Sequence, residues 1–484
     1  MNLKRLSSLV LASMLCAFGV CAQSSQSSQS SVTISLDTKH PGAAISPEFT
    51  GLSFELSLLL PDSNGVRYFR PDNRPLINLF QTFGIKNLRV GGNSADRNAK
   101  NLPAQADIDS LFAFAKVANV KVIYCLRLHD GNPQDAAAVA KYIMDHYADQ
   151  VCCFSIGQEP NVYPKVTNAD GTITPRPPYS DFKKKWKQFE EAIIAAVPNA
   201  QFCGPSVDDN PSWPRQFIGD FGRSNHVTLI TTHLYPGRSG DKVPSPEIGR
   251  DEMLSPQFTE ACQKLYDGFV PQAQAVGLPY RLEEANNFFN GGASGVSDTF
   301  ASALWGLDFA YWWAAHDAAG LNFHTGDKVG SGTEMRPSKY TAYFSTPGGF
   351  SVRPLGYGIK AFDLGSHGRF VPATINNPDN LNISVYAVLG DDKNTYVTII
   401  NKEHGDHARD VGVLFSGDYI AHSAQVISLT VPNNDVSAKT GATLGGAEIK
   451  SDGSWNGNWT DLGKAAAIEV PAGSASVVKI MQSM

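Results

Sequence analysis

The sequence predicts an α/β protein: a (β/α)8 TIM barrel followed by a C-terminal antiparallel β-sandwich that also takes in an N-terminal strand. Between residues 49 and 365, short apolar runs alternate with helical patterns, which is the rhythm of βα units. After residue 365 only short alternating strands remain, separated by Gly, Asn and Asp, as in a sandwich. No Gly-rich phosphate-binding motif stands at a strand–helix junction to favour an open doubly wound sheet.

The first 22 residues are expected to lie outside the fold. Lys4 and Arg5 precede an apolar run, and Val20-Cys21-Ala22 offers small residues for cleavage. This is the pattern of a secretory signal peptide, and it is too short for a membrane span. Residues 23–31, rich in Ser and Gln, are predicted to form a flexible leader. We therefore expect a secreted or periplasmic protein with no membrane span.

Periodicity places the remaining elements. The eight predicted barrel strands are residues 50–56, 85–90, 120–126, 151–156, 201–206, 227–233, 278–284 and 321–324. The clearest helical patterns between them are residues 108–117, 134–144, 179–196, 260–275 and 299–319. The predicted sandwich strands are residues 381–387, 395–400, 410–414, 424–429 and 474–480. A strand at 32–36 has nothing to pair with ahead of the barrel, so residues 32–48 are assigned to the sandwich, 49–365 to the barrel and 366–484 to the sandwich proper.

Composition narrows the classes of function. The chain has 46 acidic and 40 basic residues, and its one basic run, residues 183–185, fits a solvated helix face. A nucleic-acid partner is therefore not expected. No Cys/His spacing indicates a metal site, and no motif indicates a cofactor. The five cysteines beyond the predicted signal peptide are expected to be buried thiols; they are Cys125, Cys152, Cys153, Cys203 and Cys262.

Two glutamates stand where apolar runs end. Glu159 follows the apolar run 151–156, and Glu284 ends the predicted strand 278–284, just after the apolar run 276–282. The C-terminal ends of barrel strands share one rim, so the two carboxylates are predicted to face each other. Such a pair is what glycoside hydrolysis requires, with one group as acid and the other as nucleophile or base. Other strand ends also carry polar residues that fit a sugar at this rim; they are Glu55, Asn93, Gln158, His233, Tyr235, Asn322 and His324.

Several segments in a fixed order resemble glycoside hydrolase family 79, which holds bacterial β-glucuronidases and heparanase. The resemblance spans roughly residues 32–480. The segments that carry it are FTGLSFE at 49–55, LRVGGNS at 88–94, FSIGQEP at 154–160, EEAN at 283–286 leading to Gly291-Gly292, and PLGYG at 354–358.

The resemblance implies a clan A retaining enzyme in which Glu159 is the acid/base and Glu284 the nucleophile. Glu283 is set aside because adjacent strand residues are expected to face opposite sides. The family also places its nucleophile six residues before the Asn290-Gly291 turn, which selects Glu284. Further substrate-binding positions implied by the match are Glu55 and Asn93 for the sugar hydroxyls, and His233 and Tyr235 beside the nucleophile.

The chain departs from the family pattern at Gln158, where the clan usually has an Asn that contacts the sugar 2-hydroxyl. A uronic acid also needs donors for its carboxylate, and no Lys or Arg is expected beside Glu284. The backbone N–H groups around Asn290 and Gly291 could supply them. The family match adds the phenol of Tyr340, with Tyr343 close behind.

The function implied is that of a β-glucuronidase acting on a glycan or glycoside that contains glucuronic acid, without a metal or cofactor. Two alternatives stay open. One is a clan A β-glycosidase for a neutral sugar such as a β-glucoside, and the other is a catalytically silent carbohydrate-binding protein. Trp455 and Trp459 would be the contact residues if the sandwich itself bound carbohydrate.

Overall fold

The computed structural model describes residues 30–97, 101–167, 170, 172–327, 337–416, 423–464 and 467–481. The predicted signal peptide and nearly all of the predicted leader lie outside these residues. Within them the predicted fold class is confirmed: a closed parallel barrel is joined to two antiparallel-rich sheets. No helix in the described ranges is long and apolar enough to cross a bilayer.

The strands, numbered along the chain, are β1 (Ser30–Leu36), β2 (Thr50–Glu55), β3 (Asn87–Gly91), β4 (Lys121–Leu126), β5 (Val151–Ile156), β6 (Val166–Thr167), β7 (Ile173–Thr174), β8 (Phe202–Asp208), β9 (Val227–Leu234), β10 (Tyr280–Ala285), β11 (Gly320–His324), β12 (Tyr343–Thr346), β13 (Gly349–Val352), β14 (Gly368–Phe370), β15 (Ala373–Asn376), β16 (Ile383–Gly390), β17 (Thr395–Asn401), β18 (Val411–Ser416), β19 (Ala424–Thr430), β20 (Thr443–Leu444), β21 (Thr460–Gly463), β22 (Ala467–Val470) and β23 (Ser474–Ile480).

The α-helices are α1 (Arg74–Thr82), α2 (Asn93–Asp96), α3 (Gln105–Ala118), α4 (Pro133–Tyr147), α5 (Tyr179–Ala196), α6 (Ser212–Phe221), α7 (Pro246–Leu254), α8 (Pro256–Ala275), α9 (Ala301–Ala315) and α10 (Pro354–Gly365).

The barrel closes through parallel pairing in the order β10-β11-β2-β3-β4-β5-β8-β9. Its strands are the eight apolar runs of the sequence, and β2, β3 and β11 are buried along nearly their whole length. Such continuous burial is what parallel strands covered on both faces require. Because all eight run the same way, their C-terminal ends meet at one rim.

The sandwich packs one sheet, β15-β1-β18-β22, on a second that contains β14-β16-β17-β23-β19-β20, with β21 paired to β19. The N-terminal strand β1 lies inside the first sheet, antiparallel to β15 and parallel to β18. The second sheet turns its other face to the barrel through α10, so Val388, Ile400 and Val477 belong to the barrel's core cluster. One core therefore runs across the junction.

Local chemistry explains several boundaries. Asn132 caps α4 by accepting from the backbone N–H groups of Gln134 and Asp135, and Pro133 follows at the first helical position. The predicted helix 299–319 is shorter in the structure, because Asp317 adopts a left-handed backbone (φ 63°) just after α9 ends. The five predicted cysteines are free thiols, four of them buried and Cys152 half-buried.

Candidate active site

Glu159 lies just beyond β5, where the backbone leaves the barrel wall. Its φ of 46° is left-handed, a conformation that a residue with a Cβ adopts only when its surroundings hold it there. A hydrogen bond stabilises this conformation: the backbone N–H of Glu159 donates to the carbonyl of Ser206 over 2.8 Å, near the end of the neighbouring strand β8. The carboxylate of Glu159 is thus fixed at the rim by two adjacent strands.

Both Glu283 and Glu284 contact groups inside the barrel, so the expectation that only one could do so is wrong. The reason is an irregularity in β10, whose register against β9 shifts between Leu282 and Glu284. A bulge of this kind breaks the alternation of side chains along a strand. Glu284 reaches the rim, while Glu283 lies below it with no exposed surface.

Glu284 is held by a ring of donors. Its Oε2 accepts from Nη1 of Arg89 at 2.6 Å and from Nε2 of Gln158 at 3.2 Å, and its Oε1 accepts from the hydroxyl of Tyr235 at 2.9 Å. Burial would raise the pKa of this carboxyl, but neighbouring His324, His233 and Arg89 and the Tyr235 hydrogen bond together hold it well below its usual range. Glu284 is therefore an ionised carboxylate in a fixed orientation.

Arg89 overturns the expectation that no arginine or lysine lies beside Glu284. It is fully buried on β3, and its guanidinium bridges Glu284, Oε1 of Gln158 and the hydroxyl of Ser53. Burial opposes its charge, yet Glu283 and Glu284 raise its pKa, so it stays cationic. The signal in the sequence was a charge inside a buried apolar strand, which needs a partner.

Glu159 is bracketed by two basic side chains. Its Oε1 lies 2.9 Å from Nδ1 of His233, and its Oε2 lies 2.5 Å from Nη2 of Arg97. One oxygen of Glu159, one ring nitrogen of His233 and one oxygen of Glu284 all lie within 4.8 Å of one another. The carboxyl groups of retaining glycosidases are about 5–5.5 Å apart and those of inverting enzymes about 6.5–9.5 Å. The closeness of Glu159 and Glu284 fits only the retaining spacing.

His233 has no exposed surface, so the structure leaves no room for the direct contact with a sugar that was predicted for it. Burial would lower the pKa of its imidazole, but Glu284, Glu159 and Glu283 raise it to about 10. His233 is therefore a cation between carboxylates. Its Nδ1 lies 2.9 Å from Oε1 of Glu159 and its Nε2 lies 3.5 Å from Oε1 of Glu283.

Glu55 and Asn93, predicted to hold sugar hydroxyls, interact first with α2. The Glu55 carboxylate accepts from the backbone N–H of Asn93 at 3.1 Å and from the N–H and hydroxyl of Ser94 at 2.7 and 2.6 Å, which caps that short helix. The Asn93 side chain is exposed, and its oxygen accepts from Arg97. Asn93 keeps its amide hydrogens and Glu55 keeps part of its acceptor capacity for a ligand.

Tyr340 lies close to Tyr235 and His324, with its ring centroid 6.0 Å from each of theirs. Its segment packs on the turn at 290–292, where the carbonyl of Gly291 accepts from the N–H of Lys339 at 2.6 Å. Tyr343, the alternative, is buried against Phe350 and outside the site.

The turn at Asn290, Gly291 and Gly292 is left-handed at three successive residues, with φ of 57°, 83° and 81°. A Cβ at Gly292 would come within 2.9 Å of Ser297 and of the backbone nitrogen of Tyr340, so only glycine fits there. The amide of Asn290 donates to Ser239 at 2.8 Å. None of the three backbone N–H groups donates to another residue in the part of the chain described here.

Asp96, at the end of α2, is a residue that the sequence did not reveal. Its buried carboxylate accepts from the backbone N–H groups of Leu128 and His129 at 2.6 and 2.9 Å, from that of Gln158 at 2.7 Å, and from the hydroxyl of Tyr163 at 2.5 Å. It thereby ties the loop after β4 to the backbone of Gln158, immediately ahead of Glu159. No local sequence pattern predicts that one carboxylate accepts hydrogen bonds from several residues so far away in the chain.

The two tryptophans of the sandwich do not form a flat exposed platform. Trp455 is half-buried; its indole N–H donates to the carbonyl of Leu444 at 3.1 Å, and its ring faces the ammonium of Lys360. The ring of Trp459 lies 6.4 Å from that of Tyr396.

The chain is similar in sequence to β-glucuronidases from two organisms. No protein-family model matches the chain. A β-glucuronidase from Aspergillus niger is 24% identical over 272 residues, covering 51% of this chain and 45% of that protein. One from Neurospora crassa is 22% identical over 346 residues, covering 61% and 60%. The matched part therefore spans only about half the length of these curated relatives.

Solved structures agree in fold along nearly the whole chain. A 4-O-α-L-rhamnosyl-β-D-glucuronidase from Fusarium oxysporum superposes with a TM-score of 0.71 at 16% identity, covering 92% of this chain and 99% of that one. A GH51 arabinofuranosidase from Xanthomonas axonopodis superposes with a TM-score of 0.66 at 13% identity, covering 94% and 100%. The resemblance seen in the sequence is thus confirmed: the chain is similar to β-glucuronidases, and it shares the barrel-and-sandwich fold of these solved glycosidases.

Proposed function

We propose that the protein is a retaining β-glucuronidase that works by double displacement, with Glu284 as nucleophile and Glu159 as acid/base. The observation that carries the proposal is the pair itself: an ionised Glu284 within 4.8 Å of Glu159 at the C-terminal rim of the barrel. That spacing leaves no room for a water between carboxylate and sugar, which an inverting enzyme needs.

In the first step one oxygen of Glu284 bonds to the anomeric carbon while the bond from that carbon to the leaving oxygen breaks. The electron pair of the broken bond stays on the leaving oxygen, which takes the proton of Glu159. Arg89 and Tyr235 hold Glu284 in line for attack. Because their N–H and O–H groups are already oriented, little reorganisation is needed as the reaction begins.

In the second step a water gives a proton to the carboxylate of Glu159 and attacks the anomeric carbon. The bond to Glu284 breaks, its electrons return to that carboxylate, and the sugar leaves with its original configuration. His233 and Arg97 contact the two oxygens of Glu159, so negative charge on that group is stabilised while it waits as the base.

The second part of the proposal is that the bound sugar is a uronic acid. Its carboxylate would lie against the turn at Asn290, Gly291 and Gly292, whose backbone N–H groups are without acceptors among the described residues, and near Tyr340, whose ring centroid lies 6.0 Å from that of Tyr235. Consecutive left-handed residues with free N–H groups form a concavity that suits an anion. The relatives named as β-glucuronidases support the same substrate class. Gln158 keeps one amide hydrogen for the 2-hydroxyl, since its other contacts are to Arg89 and Glu284.

The nucleophile is tested by chemical rescue. Glu284→Gly should abolish hydrolysis of an aryl β-glucuronide, and azide should restore turnover by filling the space and attacking the anomeric carbon. The matched variant is Glu283→Gly, for which azide should restore nothing. Full activity of Glu284→Gly would end the assignment, and rescue of Glu283→Gly alone would move it one residue.

The substrate is tested by comparing an aryl β-glucuronide with the matching β-glucoside. Charged hydrogen bonds contribute about 1.5–3 kcal/mol, so the glucuronide should be favoured by roughly tenfold to more than a hundredfold in kcat/KM. Tyr340→Phe should narrow the preference, and Tyr343→Phe, outside the site, should leave it unchanged. Equal rates on both sugars would indicate a neutral-sugar glycosidase, and no turnover of any chromogenic β-glycoside would indicate a silent binding protein.

Export to the periplasm or the medium is proposed from residues 1–22 alone. N-terminal sequencing of the protein recovered from cell fractions tests it. A protein that retained Met1 and stayed in the cytoplasm would contradict it.

A further inference from the structure

Glu283 has no task in the mechanism above, although it is a charged group with no exposed surface. Burial would raise the pKa of its carboxyl, but the hydrogen bond from His233 and the charges of Arg89 and His233 lower it below its ordinary value. Keeping a buried carboxylate ionised costs free energy unless a neighbouring group compensates its charge. That group is His233.

Two buried polar atoms face each other at this point. Nε2 of His233 lies 3.5 Å from Oε1 of Glu283, and neither atom has a closer hydrogen-bond partner among the described residues. The other ring nitrogen, Nδ1, lies 2.9 Å from Oε1 of Glu159. The three side chains therefore form a line that runs from the barrel interior to the acid/base.

The charges at the two rim glutamates change during the proposed reaction. Glu284 loses its charge when it becomes an ester, and Glu159 is neutral while it carries its proton. Neither can therefore supply a constant counter-charge to His233. Glu283 touches no substrate and exchanges no bond, so its charge is the same at every step.

We propose that Glu283 is a positioning residue that keeps His233 protonated through the whole catalytic cycle, so that a fixed positive charge stands behind Glu159. The inference rests on the proposed function. As Glu159 gives up its proton it becomes a carboxylate, and the imidazolium at 2.9 Å stabilises that carboxylate.

Other titratable groups surround His233 and Glu283. The groups whose charges act on His233 or Glu283 are Arg89 on β3, Cys125 on β4, Glu159 after β5, Cys203 and Asp208 on β8, Glu284 on β10 and, more weakly, Arg281 at the start of β10. Arg89 is bonded to Glu284, Gln158 and Ser53, which leaves His233 as the nearest cation to Glu283.

The first test reads the proton directly and needs no substrate. In protein labelled with ¹⁵N in its eleven histidines, the His233 signals are assigned as those missing from His233→Asn. In the wild type they should show an imidazolium up to pH 8. In Glu283→Gln, which keeps the size of the side chain and removes its charge, they should titrate at least one pH unit lower. A neutral His233 at pH 8 in the wild type would overturn the proposal, even if no variant folded.

The second test separates acid catalysis from mere folding by varying the leaving group. General acid catalysis contributes typically about 10²–10⁴-fold, so Glu283→Gln should lose roughly tenfold to a hundredfold in kcat/KM on glucuronides with a poorly acidic phenol. On a dinitrophenyl glucuronide, which needs no protonation, the first step should change by less than about threefold. Glu283→Asp, which keeps the charge, should recover part of the loss.

Glu190→Gln is the matched control, since Glu190 is a buried glutamate on α5, remote from the rim. It should leave the dependence on leaving group as in the wild type. An equal loss on both kinds of leaving group in Glu283→Gln would overturn the proposal in favour of a structural role. A wild type that hydrolyses no glycoside would instead refute the proposed function, and the NMR test would still decide the state of His233.

Discussion

Arg89→Lys tests how much the hydrogen bonds from Arg89 contribute to the orientation of the nucleophile Glu284. Arg89 places one guanidinium N–H on Glu284 at 2.6 Å and a second on Gln158, from a site with no exposed surface. A lysine ammonium keeps the charge but lacks the planar fork that spans both partners. Glu284 should stay ionised, while Gln158 loses its donor and the carboxylate is held less firmly.

The size of the effect follows from one lost charge-assisted hydrogen bond. Such a bond is worth about 1.5–3 kcal/mol, and each ~1.4 kcal/mol is a factor of ten, so kcat/KM should fall roughly tenfold to 150-fold. The assay is steady-state hydrolysis of an aryl β-glucuronide, with thermal denaturation run on the same preparation to count folded protein.

Arg281→Lys is the control at the opposite end of the barrel. Arg281 is also a buried arginine, but it donates to Asn322 at 2.6 Å and to backbone carbonyls of Glu48, Phe49 and Ala319. Its replacement should lower the melting temperature and leave kcat/KM per folded molecule unchanged. If Arg89→Lys matched the wild type in kcat/KM, or if both variants lost activity equally, Arg89 would have no special role at the nucleophile.

Three further outcomes are expected. Tyr235→Phe removes the 2.9 Å hydrogen bond to Glu284 and should lower kcat about tenfold or more without changing the melting temperature greatly; an unchanged kcat would count against it. Asp96→Asn weakens the carboxylate hub that holds the backbone of Gln158 and should reduce the free energy of unfolding in urea by about 2–3 kcal/mol, whereas an unshifted midpoint would contradict this. The pKa of His233 rises from 6.5 to about 10 on folding, so its contribution to stability is complete below pH 6.5 and is lost as pH rises to about 10; His233→Asn should flatten that part of the stability–pH curve.

Much of the fold could be predicted from the sequence because its signals are local. The alternation of apolar runs and helical patterns needs no knowledge of distant contacts, and the predicted helix 179–196 coincides with α5. The positions of Glu159 and Glu284 followed from the same logic, since a carboxylate at the end of a parallel strand must lie on the common rim.

Predictions from the sequence were wrong where a side chain's position depends on strand register or on contacts with residues far away in the chain. The bulge in β10 depends on pairing with β9, and without it Glu283 was expected to point away from the barrel interior. Arg89 is separated from Glu284 by 195 positions, so their ion pair has no local signature. Glu55 was expected at a sugar, yet its carboxylate is first a cap for α2, because the neighbouring N–H groups of a helix start compete for it.

The position of strand β1 determines when the first sheet of the sandwich can form during synthesis of the chain. Ser35 of β1 meets Ser416 of β18 across 381 positions of chain. A ribosome adds about 5–20 residues per second, so β1 waits roughly 20–80 s after its own synthesis before that partner exists. Meanwhile its backbone groups, and the apolar Val32 and Ile34, are without their final neighbours. A chain that stopped short of residue 411 would leave β1 unpaired on that side, so the sheet can be finished only by a chain that has passed this point.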